Sequence, residues 1–195
     1  EGVETLYYHG GCDPENILTE RFAQIVIGGG HWSQMAFKCT DAYYFMAAKF
    51  KKALEWVQYH EYDYIFRTNS SSYVNKPALI EFAKQLPKEK LYAGWEIQGN
   101  EGFNIVSGAG FFLSRDTAKI LMDNIDPAFE KEEDYYCAKI LHEHGIKIID
   151  DKSRFDVDRF NEWVPADRYH YRLKTGNRLV DCHNMKLLHK RILEQ

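Results

Sequence analysis

One segment constrains the fold of this chain more than any other: an apolar run that stops abruptly at small polar residues. Tyr64-Ile65-Phe66 has the composition of a buried strand, and Asn69-Ser70-Ser71-Ser72 follows it almost at once. In an open α/β sheet the carboxyl ends of the strands form the crevice that holds ligands. We therefore expect the hydroxyls and the amide of this segment to line a ligand site. The alternative is a serine-rich turn with a purely local role, because Asn and Ser favour turns on their own.

Short apolar runs and segments with helical spacing alternate along the rest of the chain. Strands are predicted at residues 5–9, 25–27, 64–66, 91–95 and 146–149. Helices are predicted at residues 34–59, 77–85, 117–122, 135–144 and 184–193, with a mobile glycine loop at 28–32. The first helix is long, and Thr40-Asp41 leaves two consecutive helices open as an alternative. This alternation predicts an α/β fold, a three-layer α/β/α sandwich.

The composition narrows the classes of function. Aromatic residues make up 15% of the chain, and their rings suit both a packed core and a surface that stacks on sugars or bases. The net charge is −4, and no block of Lys or Arg is long enough to attract duplex nucleic acid. A nucleic-acid partner is therefore not expected.

Length and cysteine spacing bear on domain organisation and compartment. The 195 residues fit a single domain, 1–195, in which residues 150–195 are expected to be an extension that closes the ligand site. The possibility that a longer chain carries further domains stays open. The four cysteines lack the paired spacings of zinc and redox motifs, which favours reduced thiols. No run approaches the roughly 20 apolar residues of a membrane span, and the first residues lack the character of a signal peptide. A cytoplasmic location is the simplest expectation.

Three further patterns carry candidate chemistry. Ser107-Gly108-Ala109-Gly110 places small residues where a ligand can approach the backbone closely. Glu133-Asp134 opens a predicted helix, where acidic residues either serve as a catalytic base or simply favour the helix dipole. In residues 169–174, strand alternation would put His170, Arg172 and Lys174 on one face, either as phosphate ligands or as a solvated surface.

Taken in order, these segments resemble nucleotide-sugar-dependent glycosyltransferases of the GT-A fold, particularly the galactosyltransferase and Fringe-like group and related small domains of large DNA viruses and bacteria. Asn69-Ser70-Ser71-Ser72-Tyr73-Val74-Asn75 stands where that group has an Asp-x-Asp motif followed by an aromatic residue, Val and Asn. Ser107-Gly108-Ala109-Gly110, before Leu113-Ser114-Arg115-Asp116, matches its acceptor-side segment, and Glu133-Asp134 matches its acidic pair. The resemblance spans residues 6–149 and implies a GT-A architecture with a mixed central sheet.

The resemblance implies inverting transfer of a hexose from a nucleoside-diphosphate sugar, such as a UDP-sugar, to a hydroxyl of a glycan or glycoprotein acceptor. It makes Asp134 the first choice for the general base and Glu133 the second. The residues expected on the donor side are Tyr7, His9, Gly10, Arg67, Asn69, Ser70, Ser71, His170, Arg172 and Lys174. Those expected on the acceptor side are Trp95, Gly108, Ala109 and Gly110.

Two features depart from the family pattern. Asn69, Ser70 and Ser71 replace the Asp-x-Asp carboxylates, so no ligands for Mn²⁺ or Mg²⁺ are assigned. The resemblance then points to basic side chains, as in branching N-acetylglucosaminyltransferases. Residues 5–9 are either the opening strand of the fold or its second strand.

Two other functions stay open. An inactive nucleotide-sugar or glycan-binding domain would explain the missing acids, although the retained base argues against it. A nucleotidyltransferase would need acids at the end of the central strand and a basic glycine-rich loop, and the sequence has neither.

Overall fold

The computed structural model describes residues 3–10, 21–27, 30–37, 45–129, 132–158, 160 and 163–194. For Tyr7, His9 and Gly10, and for residues 21–27 and 30–37, it describes the backbone alone. The strands are β1 (Thr5–Gly10), β2 (Arg21–Ile27), β3 (Gly30–Phe37), β4 (Tyr64–Thr68), β5 (Ser72–Val74), β6 (Tyr92–Ile97), β7 (Ile105–Ser114), β8 (Ile149–Asp150), β9 (Phe155–Val157) and β10 (His170–Leu173). The helices are α1 (Met46–Val57), α2 (Lys76–Ala83), α3 (Arg115–Asn124), α4 (Glu133–Glu143) and α5 (Arg178–Leu193). The predicted α/β class is confirmed.

The described strands divide among three sheets. The central sheet has the order β4-β7-β6-β8, in which β7 is antiparallel to both neighbours and β8 is parallel to β6. A small sheet has the order β5-β10-β9, with an antiparallel and a parallel pair. The third sheet, β1-β3-β2, is also mixed. The long strand β7 is therefore an inner strand of the central sheet and pairs with a neighbour on each side.

Helices pack against both faces of the central sheet because alternate residues of β7 point in opposite directions. Phe111 and Leu113 join a buried cluster with residues of α1, α3 and α4. Phe112 points the other way and packs with Leu79 of α2 and with Tyr169. The continuous apolar run of β7 thus reflects a strand that is covered on both sides.

The small sheet has one apolar face and one face that carries mostly polar side chains, together with Val74. Tyr171, Leu173 and Val157 are buried in a cluster with Leu188 of α5, and Tyr73 packs against it. Strand register and alternation place five polar residues on the opposite face: Ser72, Arg154, Asp156, His170 and Arg172. We call this set the polar face. The predicted alternation of His170 and Arg172 is thereby confirmed, whereas Lys174 lies beyond the end of β10.

The prediction for residues 28–59 was wrong in part. Residues 30–37 form strand β3, not a glycine loop and the start of a helix, and the helix begins only at Met46. β3 is hydrogen-bonded to β1 on one side and β2 on the other, so long-range pairing outweighs the helical spacing of the apolar residues. Residues 28–29 and 38–44, including Thr40-Asp41, lie outside the described residues.

Other boundaries differ less. α5 begins at Arg178, six residues before the predicted start at 184, because the Asn177 side chain caps it by accepting hydrogen bonds from Leu179 N and Val180 N. The strand predicted at 146–149 is reduced to Ile149–Asp150. Within the described ranges, no helix is long and apolar enough to cross a membrane.

Candidate functional site

The predicted donor turn, residues 69–71, and the predicted base, Asp134, both contact Gly108 of β7. Asn69 Nδ2 donates a hydrogen bond of 3.3 Å to the Gly108 carbonyl. The Gly108 N–H donates one of 2.9 Å to Asp134 Oδ2. Asn69 is 39 residues before Gly108 and Asp134 is 26 residues after it, so the fold brings three distant segments to one residue.

The polar residues after β4 form a turn that is fastened to β7. Asn69 Oδ1 accepts a hydrogen bond of 3.0 Å from Ser71 N, and the Asn69 carbonyl accepts one of 3.1 Å from Ser72 N. Thr68 Oγ1 and Ser72 Oγ both donate to the Ala109 carbonyl, at 2.7 and 3.1 Å. These contacts give the turn a local structural role, as expected for Asn and Ser. Its role in binding a donor stays a prediction.

The three residues of the turn differ in exposure. Ser70 is exposed and Asn69 is half-buried, whereas Ser71 is only 4% exposed. Ser71 Oγ accepts a hydrogen bond of 2.8 Å from Arg178 Nη1, at the start of α5. A ligand that approaches the turn would therefore meet Ser70 and Asn69 before Ser71.

The two acidic residues at the start of α4 have different environments. Glu133 is 3% exposed, and its Oε2 accepts a hydrogen bond from Arg67 Nη2. Burial raises the pKa of Glu133, and the Arg67 guanidinium opposes part of that rise. Asp134 is half-buried, and its Oδ1 accepts a hydrogen bond of 3.0 Å from Tyr135 N. Of the two carboxylates, Asp134 is the one that a substrate can reach.

Arg67 is buried, and both of its terminal nitrogens donate hydrogen bonds inside the protein, whereas its Nε has no hydrogen-bond partner among the described residues. It pairs with Glu133, it donates to the Gly108 carbonyl, and its Cζ lies 5.7 Å from the centre of the Phe111 ring. Burial opposes its charge, but the Glu133 carboxylate and the Tyr8 hydroxyl of β1 raise the pKa of Arg67 overall. The predicted contact between Arg67 and a donor diphosphate therefore finds little support. The geometry favours a role in holding α4 against β7.

Packing explains two of the small residues on β7. A Cβ at Gly108 would lie 2.8 Å from Asp134 Oδ2, and a Cβ at Gly110 would lie 2.5 Å from His170 Cε1. Ala109 and Gly110 are buried, whereas Gly108 is half-buried. Among the predicted acceptor-side residues of this segment, Gly108 is thus the one open to a ligand.

His170 is a buried neutral imidazole. It is 1% exposed, and its Nε2 lies 2.9 Å from Ser72 Oγ. Burial, followed by the charges of Arg154 and Arg172, lowers the pKa of His170 to about 3. His170 is therefore uncharged near neutral pH, and its predicted place on the donor side stays a prediction.

Arg154 is a candidate site residue that sequence reasoning missed. It forms two hydrogen bonds to Asp156, of 2.6 and 3.1 Å, and donates one of 2.9 Å to Ser107 Oγ. Its Cζ also lies 4.7 Å from the centre of the Trp95 ring. The alternation of Arg154-Phe155-Asp156-Val157 was the available signal, since it is that of a strand with one charged and one apolar face.

Trp95, predicted on the acceptor side, is half-buried beside two cations. Lys152 Nζ lies 4.8 Å from its ring centre, in addition to Arg154 at 4.7 Å. Such contacts hold the ring in place. Tyr7, His9 and Gly10 lie in β1 beside β3, and only their backbone is described, so their donor-side roles stay predictions.

In the described part of the chain, no group of three or more His, Cys, Asp or Glu side chains is arranged to hold a metal ion. No protein-family model matches the sequence, and no curated protein matches it either.

Proposed function

We propose that the chain is a glycosyltransferase of the GT-A type, which transfers a hexose from a nucleoside-diphosphate sugar to a hydroxyl of a glycan acceptor with inversion. One observation carries the proposal: Gly108 contacts both Asn69, on the predicted donor turn, and Asp134, the predicted base. The three segments that resemble the family in sequence order are thus adjacent in space. A chance resemblance of short motifs would not require this adjacency.

The proposed reaction needs one base and one site for a leaving group. Asp134 accepts the proton of the acceptor hydroxyl while that oxygen forms a bond to the anomeric carbon. The bond from the anomeric carbon to the diphosphate breaks on the opposite face, and its electron pair leaves with the diphosphate. The products are the glycoside and the nucleoside diphosphate.

Asp134 suits the role of base better than Glu133 does. The Oδ2 atom is held by the Gly108 N–H and Oδ1 by the Tyr135 N–H, so the carboxylate has a fixed orientation and is half-buried. Glu133 is already paired with Arg67 and is closed to solvent. A base must reach the proton that it removes, which excludes an enclosed carboxylate.

The test measures the transfer of radiolabelled hexose from a panel of nucleoside-diphosphate hexoses to a glycan acceptor. Thermal shift identifies which donor binds. Asp134→Asn should keep donor binding and lower turnover by about 10²- to 10⁴-fold, the usual contribution of a general base. Asp123→Asn is the matched control, because Asp123 is an exposed carboxylate on α3 that pairs with Lys119. Absence of transfer from every donor, or an Asp134→Asn enzyme with normal turnover, would contradict the proposal.

A nucleotide-sugar-binding domain without transfer activity is the second candidate. It is favoured by the lack of charge on Asn69, Ser70 and Ser71, whose described side-chain hydrogen bonds go to the turn itself, to Gly108 and to Arg178. This candidate predicts a saturable thermal shift with a nucleoside-diphosphate sugar and no turnover, whether or not Mn²⁺ is added. Transfer by the wild type would exclude it.

A further inference from the structure

Helix α5 carries apolar side chains on both of its faces. Its inner face packs on the small sheet, on the side opposite the polar face, with Leu188 fully buried. Its outer face exposes Leu179, Val180, Leu187 and Leu193. These four are half of the eight large apolar side chains that are exposed in the described part of the chain, although α5 has only 16 residues. Exposed apolar surface is therefore concentrated on this helix.

The exposed residues of α5 recur with the period of the helix. Side chains three or four positions apart lie on one face, and Leu179 and Leu193, at the two ends of the row, are 84% and 71% exposed. We call the row and its flanking leucine the outer ridge; its members are Leu179, His183, Lys186, Leu187, Lys190 and Leu193. A single exposed leucine is ordinary, but a row of them along one helix face indicates a contact surface.

The outer ridge is basic, whereas the chain as a whole is acidic, with 25 Lys and Arg against 29 Asp and Glu. The acidic residue of α5 is Asp181, which is buried and accepts hydrogen bonds of 2.8 Å from Thr175 N and Oγ1. Just beyond α5, the exposed Glu194 lies 3.7 Å from Lys190. Lys186 forms no ion pair with a described residue. The ridge thus combines leucines with positive charge that is not fully neutralised.

This combination suits the surface of an anionic membrane. Leucine side chains enter the boundary between headgroups and acyl chains. Lysine ammonium groups reach the lipid phosphates from the same depth, because their aliphatic stems lie along apolar surroundings. At 1.5 Å per residue α5 is about 24 Å long, and Leu179 and Leu193 lie near its two ends, so a flat surface can touch the ridge along its whole length.

Two other occupants fit the ridge less well. A second copy of the chain would pair this face with itself, because symmetric dimers use the same patch on both subunits, and the lysines of the two copies would then repel each other. A protein partner needs roughly 800 Å² on each side for a stable interface. One helix face of about 24 Å by 10 Å offers far less than that. A membrane needs no larger patch, since a few basic and apolar residues suffice.

We propose that the outer ridge of α5 binds the surface of a membrane that contains anionic lipids, with its leucines in the headgroup region and with Lys186 and Lys190 on the lipid phosphates. The helix then lies parallel to the membrane plane. This contact goes beyond the proposed function and does not depend on it. Arg178, at the start of α5, donates a hydrogen bond of 2.8 Å to Ser71 of the predicted donor turn, so the ridge begins beside the candidate site.

The experiment is co-sedimentation of the full chain with lipid vesicles, without any donor or acceptor sugar. One set of vesicles contains equal parts of phosphatidylserine and phosphatidylcholine, and the other contains phosphatidylcholine alone. The wild type should bind the first set saturably and the second on the order of tenfold more weakly, and added salt should weaken binding because it screens exposed charges. Equal binding to both sets, or binding to neither, would overturn the proposal.

Two double variants separate the contributions of charge and apolar surface. Lys186→Gln with Lys190→Gln should weaken binding to the anionic vesicles on the order of tenfold or more, and Leu179→Ser with Leu193→Ser should do the same. All four side chains are exposed, so thermal unfolding should stay at the wild-type temperature. Wild-type binding by either double variant would overturn the proposal.

Two control variants change the same kinds of side chain elsewhere. Lys119→Gln removes an exposed lysine of α3 that pairs with Asp123. Tyr59→Ser removes an apolar side chain that is 83% exposed, two residues after α1. Both variants should bind vesicles like the wild type. A loss of binding in the controls as large as in the ridge variants would show that the contact is not specific to α5.

A further variant changes affinity in the opposite direction. Glu194→Gln removes the carboxylate near Lys190, so anionic vesicles should bind several-fold more tightly. Tighter binding cannot arise from damage to the fold, and unchanged or weaker binding would overturn the assignment of Lys190 to the lipid. A dimer that forms in sedimentation velocity and is lost in the variant with Leu179→Ser and Leu193→Ser, without any vesicle binding, would assign the ridge to a second copy instead.

The outcomes also separate the membrane contact from the transfer reaction. Vesicle binding without any sugar transfer would support the outer ridge and contradict the transferase. Sugar transfer by a protein that does not bind vesicles would support the transferase and overturn the membrane contact.

Discussion

The ring of His170 occupies the space that a side chain at Gly110 would need. A Cβ at Gly110 would lie 2.5 Å from His170 Cε1 and 2.9 Å from Phe66 Cζ, closer than real Cβ contacts. The glycine of β7 and the histidine of β10 thus fit together across two sheets. This relationship gives Gly110 a structural role and moves the expected effect of its mutation from acceptor binding to stability.

Gly110→Ala should lower the free energy of unfolding by about 1–3 kcal/mol, the usual cost of overpacking a filled core. Urea denaturation measures it. In a His170→Ala background the same change should cost less, because one of the two clashing rings is gone, and a double-mutant cycle gives the coupling. An equal cost in both backgrounds would show that His170 does not limit the space at Gly110.

The ion pair of Arg67 and Glu133 should behave as a buried pair. The two side chains are 5% and 2% exposed, so Glu133→Gln leaves a buried guanidinium without its counter-charge. We expect a loss of about 3–5 kcal/mol in the free energy of unfolding, and a smaller loss when both residues are changed to Met. Asp123→Asn, which breaks the exposed pair with Lys119, should cost under about 1 kcal/mol. A double variant less stable than Glu133→Gln would contradict this account.

His170 should make stability depend on pH. Its pKa is about 3 in the folded protein, against an ordinary value of 6.5. Between these values the unfolded chain binds a proton that the folded chain does not, so stability is complete above pH 6.5 and falls as the pH decreases. The slope for one proton is at most about 1.4 kcal/mol per pH unit.

Urea denaturation at pH 7 and at pH 5 tests this pH dependence. His170→Gln keeps a donor for Ser72 and removes the titration, so its stability should fall less over this interval than that of the wild type. Parallel losses in the two proteins would show that His170 does not remain neutral in the folded state.

Local patterns predicted β4, β6 and the helices α2, α3 and α4 well, but β7 was not among the predicted strands. Three signals act within a few residues of the boundary that each marks. They are the apolar run at 64–66, the Pro near the start of α2, and Gly145 after α4, which has a φ of 72°. Their physical causes are local, so the sequence alone displays them. Strand β3 and the small sheet depend instead on partners far along the chain.

The candidate site shows the same division. The resemblance placed Asn69, Gly108 and Asp134 in order, and the structure brings them together. The resemblance could not show that Arg67 forms an ion pair with Glu133, 66 residues away. Nor could it show that Asp156 pairs with Arg154 and leaves Arg172 without a carboxylate partner among the described residues. Which of several cations and anions pair is decided by packing, and alternation along a strand carries no information about it.

The contact between Gly108 and Asp134 gives the sharpest prediction about catalysis. A Cβ at Gly108 would lie 2.8 Å from Asp134 Oδ2 and 3.2 Å from its Cγ, so Gly108→Ala must displace the carboxylate and weaken its bond to the Gly108 N–H. A misplacement of about 1 Å can cost on the order of 10²-fold in rate. We expect turnover to fall by roughly that factor while UDP affinity, measured by calorimetry, stays within twofold of the wild-type value. Gly145→Ala is the control: it strains a residue with a φ of 72° at the other end of α4, so it should lower stability and leave turnover unchanged. Normal turnover in Gly108→Ala would mean that the reaction does not depend on the position of Asp134, and the base would then have to be sought elsewhere.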